Sequence, residues 1–325
     1  MTTTGRRHRP QAGFTLVELM ISLVLFAFAI AGVLSVAVSL TAGFREQRQA
    51  VMSEGAVRAA MDFVADAVRS ASPAMTGGAI EDLTGTSGAC ATGSIKVTNS
   101  TSAPDSVEVV FAYGAVATSL RSAYTSSATT VTVTDASNFI AGDTILLTDG
   151  TTGHLVHVNA VNGSSGVLTL AAPGGCTAAS LPASGYPIGT FVLRALRANF
   201  YIGTFDGQPN TLLMDPGADG VDPEPLAENI EDMQIATGVE QDSPSDGIQS
   251  DEWFSANTAS LTGAIRALRI TLVARTTDPL RGGGTGTPPF FRPLAEDHPA
   301  ALATDWYRRR VLTSTVEIRN LLGSP

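Results

Sequence analysis

Apolar and polar positions divide the start of the chain into two stretches. Residues 1–13 are polar and carry a cluster of arginines, and within residues 14–40 the only charged residue is Glu18. A helix over that apolar run would be about 40 Å long, which exceeds the roughly 30 Å hydrocarbon core of a bilayer. The pattern therefore predicts a membrane-spanning helix. The arginines before it hold that end in the cytoplasm and predict that the rest of the chain is exported.

Helical periodicity continues beyond the apolar run. In residues 41–72 small and apolar side chains recur every three or four positions, with charged residues mostly between them. The apolar positions are Val57, Ala60, Met61, Val64, Ala67 and Val68. Pro73 is expected to stop the helix. We therefore predict one long helix whose first half is a membrane segment and whose amphipathic second half lies against a sheet.

The pattern of strand and turn signals in residues 73–325 predicts an exported head that is rich in β-strands. A strand is expected at Val107–Tyr113, and residues 118–175 contain short β segments separated by glycine turns. These segments are Thr129–Thr134, Thr144–Thr148, Leu155–Val158 and Val167–Leu170. The stretch 118–175 predicts a compact β insert in the head. The alternative is that its strands extend the main sheet.

Charge and cysteine content narrow the possible functions. The 325-residue chain has a formal net charge of −10, so it lacks the basic surface that nucleic-acid binding requires. Cys90 and Cys176 are too far apart in sequence to form a metal-binding pair of the usual spacing. In an exported protein an even number of cysteines favours a disulfide, and two unpaired thiols in the core are the alternative.

Glu18 is the residue that a simple membrane anchor does not explain. An unpartnered carboxylate in a membrane helix costs about 2–3 kcal/mol and by default marks a functional position. The stretch from Gly13 to Leu19, Gly-Phe-Thr-Leu-Val-Glu-Leu, closely resembles the type IV prepilin motif. The resemblance implies that a prepilin peptidase cleaves after Gly13 and that Phe14 becomes the methylated N-terminus. It also implies that Glu18 pairs with the α-amine of a neighbouring subunit during assembly.

The C-terminal part of the chain resembles the PilW-like minor pilins. The stretches that carry the likeness are Asn199–Gly203, Leu226–Ile235 with Gly238–Glu240, Ala264–Arg275, and Trp306–Val311 with Glu317–Asn320. Where members of that family often have an aromatic residue, this chain has Thr237. The resemblance implies an α+β type IV pilin fold, in which the long N-terminal helix packs on an antiparallel sheet.

Residues of chemically reactive types form no catalytic pattern. His154 and His157 fall three apart on a predicted strand and therefore on opposite faces, so we expect solvated or loop histidines rather than a metal site. Two acidic loops, Asp215–Asp222 and Asp242–Asp251, vaguely resemble calcium loops but lack the glutamate at the twelfth position. Arg308–Arg310 are expected to pair with the chain's own carboxylates, and an interaction patch is the alternative. We predict a protein without a cofactor that is not an enzyme.

These resemblances imply a minor pilin that primes or takes part in type IV pilus assembly, in a complex near the pilus tip. Its expected partners are the prepilin peptidase, other minor pilins, the major pilin and the inner-membrane assembly platform. It would lie in the inner membrane with its head in the periplasm and then in the pilus. One alternative is a minor pseudopilin of a type II secretion system. Another is a periplasmic enzyme or binding protein held by a signal anchor.

Overall fold

The computed structural model describes residues 15–75, 79–82, 93–125, 128–171, 185–217, 222–240, 247–255, 265–279, 290–302 and 305–319. The chain divides into two compact units, Met1–Ala50 and Val51–Pro325. The described part contains one helix, α1 (Leu16–Arg69), followed only by strands. The predicted α+β class, a long N-terminal helix followed by an antiparallel β head, is confirmed.

Sixteen strands follow the helix in the described residues. In chain order they are β1 (Ala79–Asp82), β2 (Ile95–Thr98), β3 (Ser106–Ser119), β4 (Thr130–Thr132), β5 (Thr144–Thr148), β6 (Thr152–Asn162), β7 (Val167–Leu170), β8 (Phe191–Phe205), β9 (Gln208–Asp215), β10 (Glu224–Ala227), β11 (Ile230–Val239), β12 (Trp253–Phe254), β13 (Ile265–Arg275), β14 (Phe291–Arg292), β15 (Ala301–Leu302) and β16 (Arg309–Glu317).

Helix α1 ends earlier than Pro73 predicts. Its last residue is Arg69, because the chain after it is taken up by a strand: the Ser72 N–H donates to the Val110 carbonyl at 3.1 Å, and Ala71 forms a bridge with Phe111. Ser72 also has a φ of 55°, outside the helical region. Tertiary hydrogen bonding to β3 therefore ends the helix before the chain reaches Pro73.

A ten-stranded sheet forms the larger part of the head. The long strand β8 pairs with β3 along one edge and with β5 and β9 along the other, and the sheet continues in the order β5-β6-β7-β4. The pairs are antiparallel, with the exception of β1, which lies parallel to β6. Asp206 and Gly207, with φ values of 48° and 77°, close the β8–β9 hairpin as a two-residue turn that requires positive φ at both positions.

A second sheet has four strands in the order β12-β11-β13-β16, all antiparallel. Together with the larger sheet and the second half of α1 it encloses one hydrophobic core. From the helix come Val57, Ala60, Met61, Val64 and Val68; from the larger sheet Val107, Val109, Phe200 and Leu212; and from the smaller sheet Met233, Ile235, Leu268, Ile270 and Leu272. The amphipathic pattern of residues 57–68 thus predicts the helix face that is buried.

The segment 118–175 combines both of the arrangements that the sequence allows. Its strand β5 pairs with β8, so the segment extends the main sheet at that point. It also supplies most of a hydrophobic cluster, with residues that include Val131, Phe139, Leu147 and Leu168, which Tyr186 and Val192 from outside the segment complete. That it folds as a separable unit stays a prediction. Cys90 and Cys176 lie outside the described residues, and their pairing also stays a prediction.

We expect a head without residues 118–175 to remain folded when a Gly/Ser linker replaces them. Val192 and Leu193 of β8 lose their cover in that variant, so both are changed to Thr to keep apolar surface out of water. The variant should be soluble and melt in one cooperative transition followed by circular dichroism. The control is the full chain with the same two substitutions. Aggregation or a non-cooperative melt of the deletion variant alone would show that the segment is part of the main fold.

Candidate functional site

The first turn of α1 is closed by a reciprocal pair of hydrogen bonds between Thr15 and Glu18. The Glu18 N–H donates to Thr15 Oγ1 at 3.3 Å, and the Thr15 N–H donates to Glu18 Oε2 at 3.0 Å. The Thr15 hydroxyl also donates to Glu18 Oε2 at 3.0 Å. This arrangement is a capping box, in which a threonine and a glutamate three residues later satisfy two N–H groups that lack helical partners. The sequence signal, Thr-x-x-Glu, was present at residues 15–18.

The cap fixes the position of the Glu18 carboxylate relative to the helix. It lies at the N-terminal end of α1, where the helix dipole favours negative charge. No basic side chain among the described residues forms an ion pair with it. Glu18 is therefore held in place by a neutral partner, and its charge remains available for a cation supplied from elsewhere. Gly13 and Phe14, where we predict cleavage and methylation, lie outside the described residues.

The segment after the cap has the properties of a membrane helix. Its mean hydropathy reaches 2.7 over 18 residues, and by length and composition it can cross a membrane. Every residue described from 15 to 41 is exposed, including Phe26 and Phe28 at 66% and 73%. Such a continuous apolar surface requires lipid or another protein as its surroundings.

Two hydroxyl side chains on this segment find partners on the helix itself. The Ser22 hydroxyl donates to the Glu18 carbonyl, and the Thr41 hydroxyl donates to the Ala37 carbonyl, both at 2.7 Å. Within hydrocarbon an unpaired hydroxyl would cost several kcal/mol. Because these bonds run back to carbonyls four residues earlier, both hydroxyls can lie in a membrane without a partner subunit.

A buried polar junction links the two sheets of the head. The carboxylate of Asp105, which is 1% exposed, accepts the Ser100 N–H at 2.7 Å and the Ile235 N–H of β11 at 2.8 Å. Burial raises the pKa of Asp105 to about 7, although the two N–H donors oppose the shift, and nearby Asp297 and Asp232 add to it. Asp105 thus fixes the loop between β2 and β3 onto the smaller sheet.

The outer face of the smaller sheet carries a second set of buried polar contacts. His298 Nδ1 lies 2.6 Å from Asp232 Oδ2, and Gln234 donates to Asp232 Oδ1 at 2.9 Å. On β13, Arg269 forms a bidentate pair with Glu296 at 2.9 and 2.8 Å, which raises the pKa of Arg269. These contacts hold residues 290–298, here termed the strap, over β11 and β13. This function of His298 and Glu296 is not predictable from local pattern, because their partners Asp232 and Arg269 are distant in sequence.

Arg309 pairs with the chain's own carboxylates, as the sequence predicts for the Arg308–Arg310 group, but the prediction is wrong for Arg310, which is exposed and forms no ion pair with a described residue. Its side chain is 5% exposed and forms a bidentate pair with Glu231 at 2.6 and 2.9 Å. It also donates to both carboxylate oxygens of Asp305 at 2.9 and 2.8 Å, which lowers the pKa of Asp305 and raises that of Arg309. Both partners thus hold the guanidinium where β16 begins.

The prediction of solvated or loop histidines is wrong for His154 and His157. Both lie on β6, and His154 is 1% exposed. Its Nδ1 hydrogen-bonds the Tyr186 hydroxyl and its Nε2 lies 3.2 Å from Glu81, while His157 Nδ1 lies 2.9 Å from the Thr144 hydroxyl. Partners distant in sequence, from β1 and the segment before β8, bury His154. The prediction could not anticipate them, because the pairing of β1 with β6 brings Glu81 beside His154 and a bridge between Tyr124 and Tyr186 positions the tyrosine.

No group of three or more histidine, cysteine or acidic side chains in the described part of the chain is arranged to hold a metal ion. The acidic loops Asp215–Asp222 and Asp242–Asp251 are only partly described, because residues 218–221 and 241–246 lie outside the described ranges. Asp215 Oδ1 accepts the Gly217 N–H at 2.9 Å, which is a turn contact. That both loops are solvated turns stays a prediction.

Two family models match the chain. The prokaryotic N-terminal methylation motif matches residues 8–34, and the model for type IV pilus-assembly protein W, PilW, matches residues 199–320. Residues 8–34 therefore carry the N-terminal methylation motif. Residues 199–320 are similar to the PilW family. The resemblance that the sequence analysis states for both ends of the chain is confirmed.

Comparison with solved structures gives a type IV-like pilin, TTHA1219 from Thermus thermophilus, at 12% identity and a TM-score of 0.29. The match covers 70% of this chain and 84% of that protein. A TM-score of this size does not establish a shared fold. No curated protein gives a significant match to the chain.

We expect Arg309→Ala to lower the free energy of unfolding by about 2–3 kcal/mol, because it leaves Glu231 and Asp305 without their shared cation. Arg310→Ala is the matched control: Arg310 is exposed and forms no ion pair with a described residue, so its loss should change stability by less than about 0.5 kcal/mol. Urea unfolding of both variants in detergent measures the difference. Equal stability of the two variants would contradict the importance of the Arg309 pairs.

Proposed function

We propose that this chain is a minor pilin that primes or takes part in type IV pilus assembly, in a complex of minor pilins near the pilus tip. The methylation motif over residues 8–34 carries the proposal, because it joins a cleavable basic leader to a helix that retains its apolar surface. The PilW match over residues 199–320 supports a pilus role and a structural rather than catalytic protein.

Processing and location follow from this role. A prepilin peptidase cleaves after Gly13 on the cytoplasmic side, where the leader arginines hold the N-terminus, and Phe14 is then methylated. The protein lies in the inner membrane by residues 14–40, with residues 73–325 as a periplasmic head, until it enters the pilus. Its partners are the peptidase, other minor pilins, the major pilin and the inner-membrane assembly platform.

Glu18 acts at the step in which one subunit joins the next. In a dry bundle of helices an unpaired carboxylate and an unpaired ammonium are each costly, whereas together they attract strongly. The capping box supports this role because it fixes the carboxylate at the helix start without neutralising it. The free α-amine of a neighbouring Phe14 supplies the cation. The position along the helix at which the two charges meet then sets the axial offset between neighbouring subunits.

Two other functions are compatible with part of these observations. A minor pseudopilin of a type II secretion system would have the same leader and helix, and the PilW match favours the pilus over that reading. A periplasmic enzyme or binding protein with a signal anchor would not need the methylation motif. Neither alternative accounts for both matched segments. The genes beside this one distinguish the pilus from the secretion system.

We expect the mature protein to begin at Phe14, because the leader and Gly13 form the cleavage site of the peptidase. N-terminal sequencing and intact mass of membrane-extracted protein should show Phe14 carrying one methyl group. Gly13→Leu is the control variant, in which the side chain blocks the cleavage site and the leader should remain. A mature start at Met1 in the unaltered protein, or beyond residue 35, would contradict the prepilin assignment.

We expect Glu18→Ala protein to be made, inserted and cleaved, yet to be recovered poorly with other pilins. Two variants separate charge from capping. Glu18→Gln keeps a side chain that can accept the Thr15 N–H but removes the charge, and Thr15→Val keeps the charge but removes the hydroxyl of the cap.

Co-purification with pilin partners and a count of pili should then fall for Glu18→Ala and Glu18→Gln and change little for Thr15→Val. If Thr15→Val loses partners and Glu18→Gln retains them, capping rather than charge is what assembly requires. Normal recovery and normal piliation with both Glu18 variants would remove the assembly role of this residue.

A further inference from the structure

Strand β16 lies at an edge of the smaller sheet. In the strand order β12-β11-β13-β16 it pairs with β13 on one side, and no described strand pairs with its other side. The pairing with β13 runs over nine residues, Arg309 to Glu317, without a bulge. A regular strand of this length at a sheet edge offers a row of free backbone groups to an incoming strand, unless a bulge, a proline or a covering segment blocks it.

The hydrogen bonds at both ends of β16 identify which backbone groups point outward. The Ile318 N–H donates to the Arg266 carbonyl and the Thr276 N–H donates to the Arg308 carbonyl, both at 2.9 Å. In an antiparallel pair, hydrogen-bonded and non-hydrogen-bonded residue pairs alternate. The even-numbered residues of β16 therefore bond β13. The backbone N–H and C=O groups of the odd-numbered residues Val311, Thr313, Thr315 and Glu317 point to the open edge.

The side chains of β16 are suited to a docked strand. Leu312 and Val316 pack on the core side. The residues with outward backbone groups, Val311, Thr313, Thr315 and Glu317, have exposed side chains. On the strap, which Glu296 holds on the same face of the sheet as these residues, Phe291 and Leu294 are 64% and 65% exposed. The strap thus adds apolar surface to the face that carries these exposed residues.

Charge indicates the partner. Arg310 is exposed and forms no ion pair with a described residue, although the chain has a net charge of −10. Repulsion between two chains that each have a net charge of −10 disfavours a second copy relative to a less acidic subunit that carries one acidic segment. We infer that the open edge of β16 binds an extended, acidic segment of another pilin-class subunit as an added strand. Main-chain hydrogen bonds would supply affinity, and a carboxylate facing Arg310 would supply specificity. The inference rests on the proposed function as a member of a minor-pilin complex.

The matched pair Thr315→Pro and Thr315→Val tests the edge. Thr315 has an outward N–H, so proline removes an edge donor without breaking a bond to β13, whereas valine keeps the donor. The full chain carries an affinity tag and is produced with the prepilin-leader subunits encoded beside its gene. These subunits are the probe, and their recovery is quantified by mass spectrometry.

We expect Thr315→Pro to reduce recovery of at least one such subunit by tenfold or more relative to Thr315→Val, while both variants keep the same melting temperature. Arg310→Glu should reduce recovery of that subunit, and Arg310→Lys should retain it. Amide hydrogen exchange of the complex should show protection at residues 313, 315 and 317 that the free full chain lacks.

Other outcomes overturn the inference in ways that separate it from the proposed function. Equal recovery with both Thr315 variants refutes the edge and leaves the minor-pilin role intact. Protection of residues 313, 315 and 317 in the free chain means that the chain covers its own edge. Loss of self-association alone in Thr315→Pro identifies a second copy as the occupant and refutes the acidic partner. If unaltered protein recovers no prepilin-leader subunit, both the inference and the proposed function fail.

If Thr315→Pro has a lower melting temperature than Thr315→Val, the Arg310→Glu and Arg310→Lys pair decides instead. Arg310 is exposed, so reversing its charge leaves the core unchanged. Equal recovery with the two Arg310 variants then overturns the inference, and loss with Arg310→Glu alone supports it.

Discussion

The first part of α1 must be stable in lipid or among other helices, whereas its second part must pack in the core between the two sheets. Most of the structure depends on that constraint. The first part of α1 exposes apolar side chains on every face, so it can persist only in lipid or among other helices. The second part has a buried stripe from Val57 to Val68 that completes the core between the two sheets. Because Val51–Arg69 belongs to the same compact unit as the head, changes to the helix stripe would destabilise the head and not only the anchor.

Polar residues in the head hold together segments that are far apart in sequence. Asp105 joins the loop after β2 to β11, His298 joins the strap to Asp232, and Arg309 joins β16 to Glu231. A buried charge without its partner is costly, so each contact fixes one arrangement of the segments and penalises others. These polar contacts, as well as hydrophobic packing, therefore fix the position of the smaller sheet in the head. They also fix the position of β16 and its open edge.

The start of the helix shows how a single glutamate can serve two purposes. Glu18 completes a hydrogen-bonded cap with Thr15, and it retains a charge without a cationic partner among the described residues. The cap is a contact within four residues and forms in an isolated subunit. Pairing with an amine requires a second subunit. The same side chain can thus stabilise the monomer's helix and contribute to assembly, which explains why the two effects need separate substitutions.

The sequence alone determined the features that depend on near neighbours. The apolar run of residues 14–40, the helical stripe of residues 57–68 and the motif from Gly13 to Leu19 are all local patterns. Each can therefore be recognised from neighbouring residues alone. Only the tertiary structure decided where α1 ends, that β1 pairs parallel with β6 and buries His154, and that Asp232 meets a histidine 66 positions away. These features result from the order in which strands pair, which local periodicity does not encode, because a strand pattern specifies a buried face but not the neighbour at its edge.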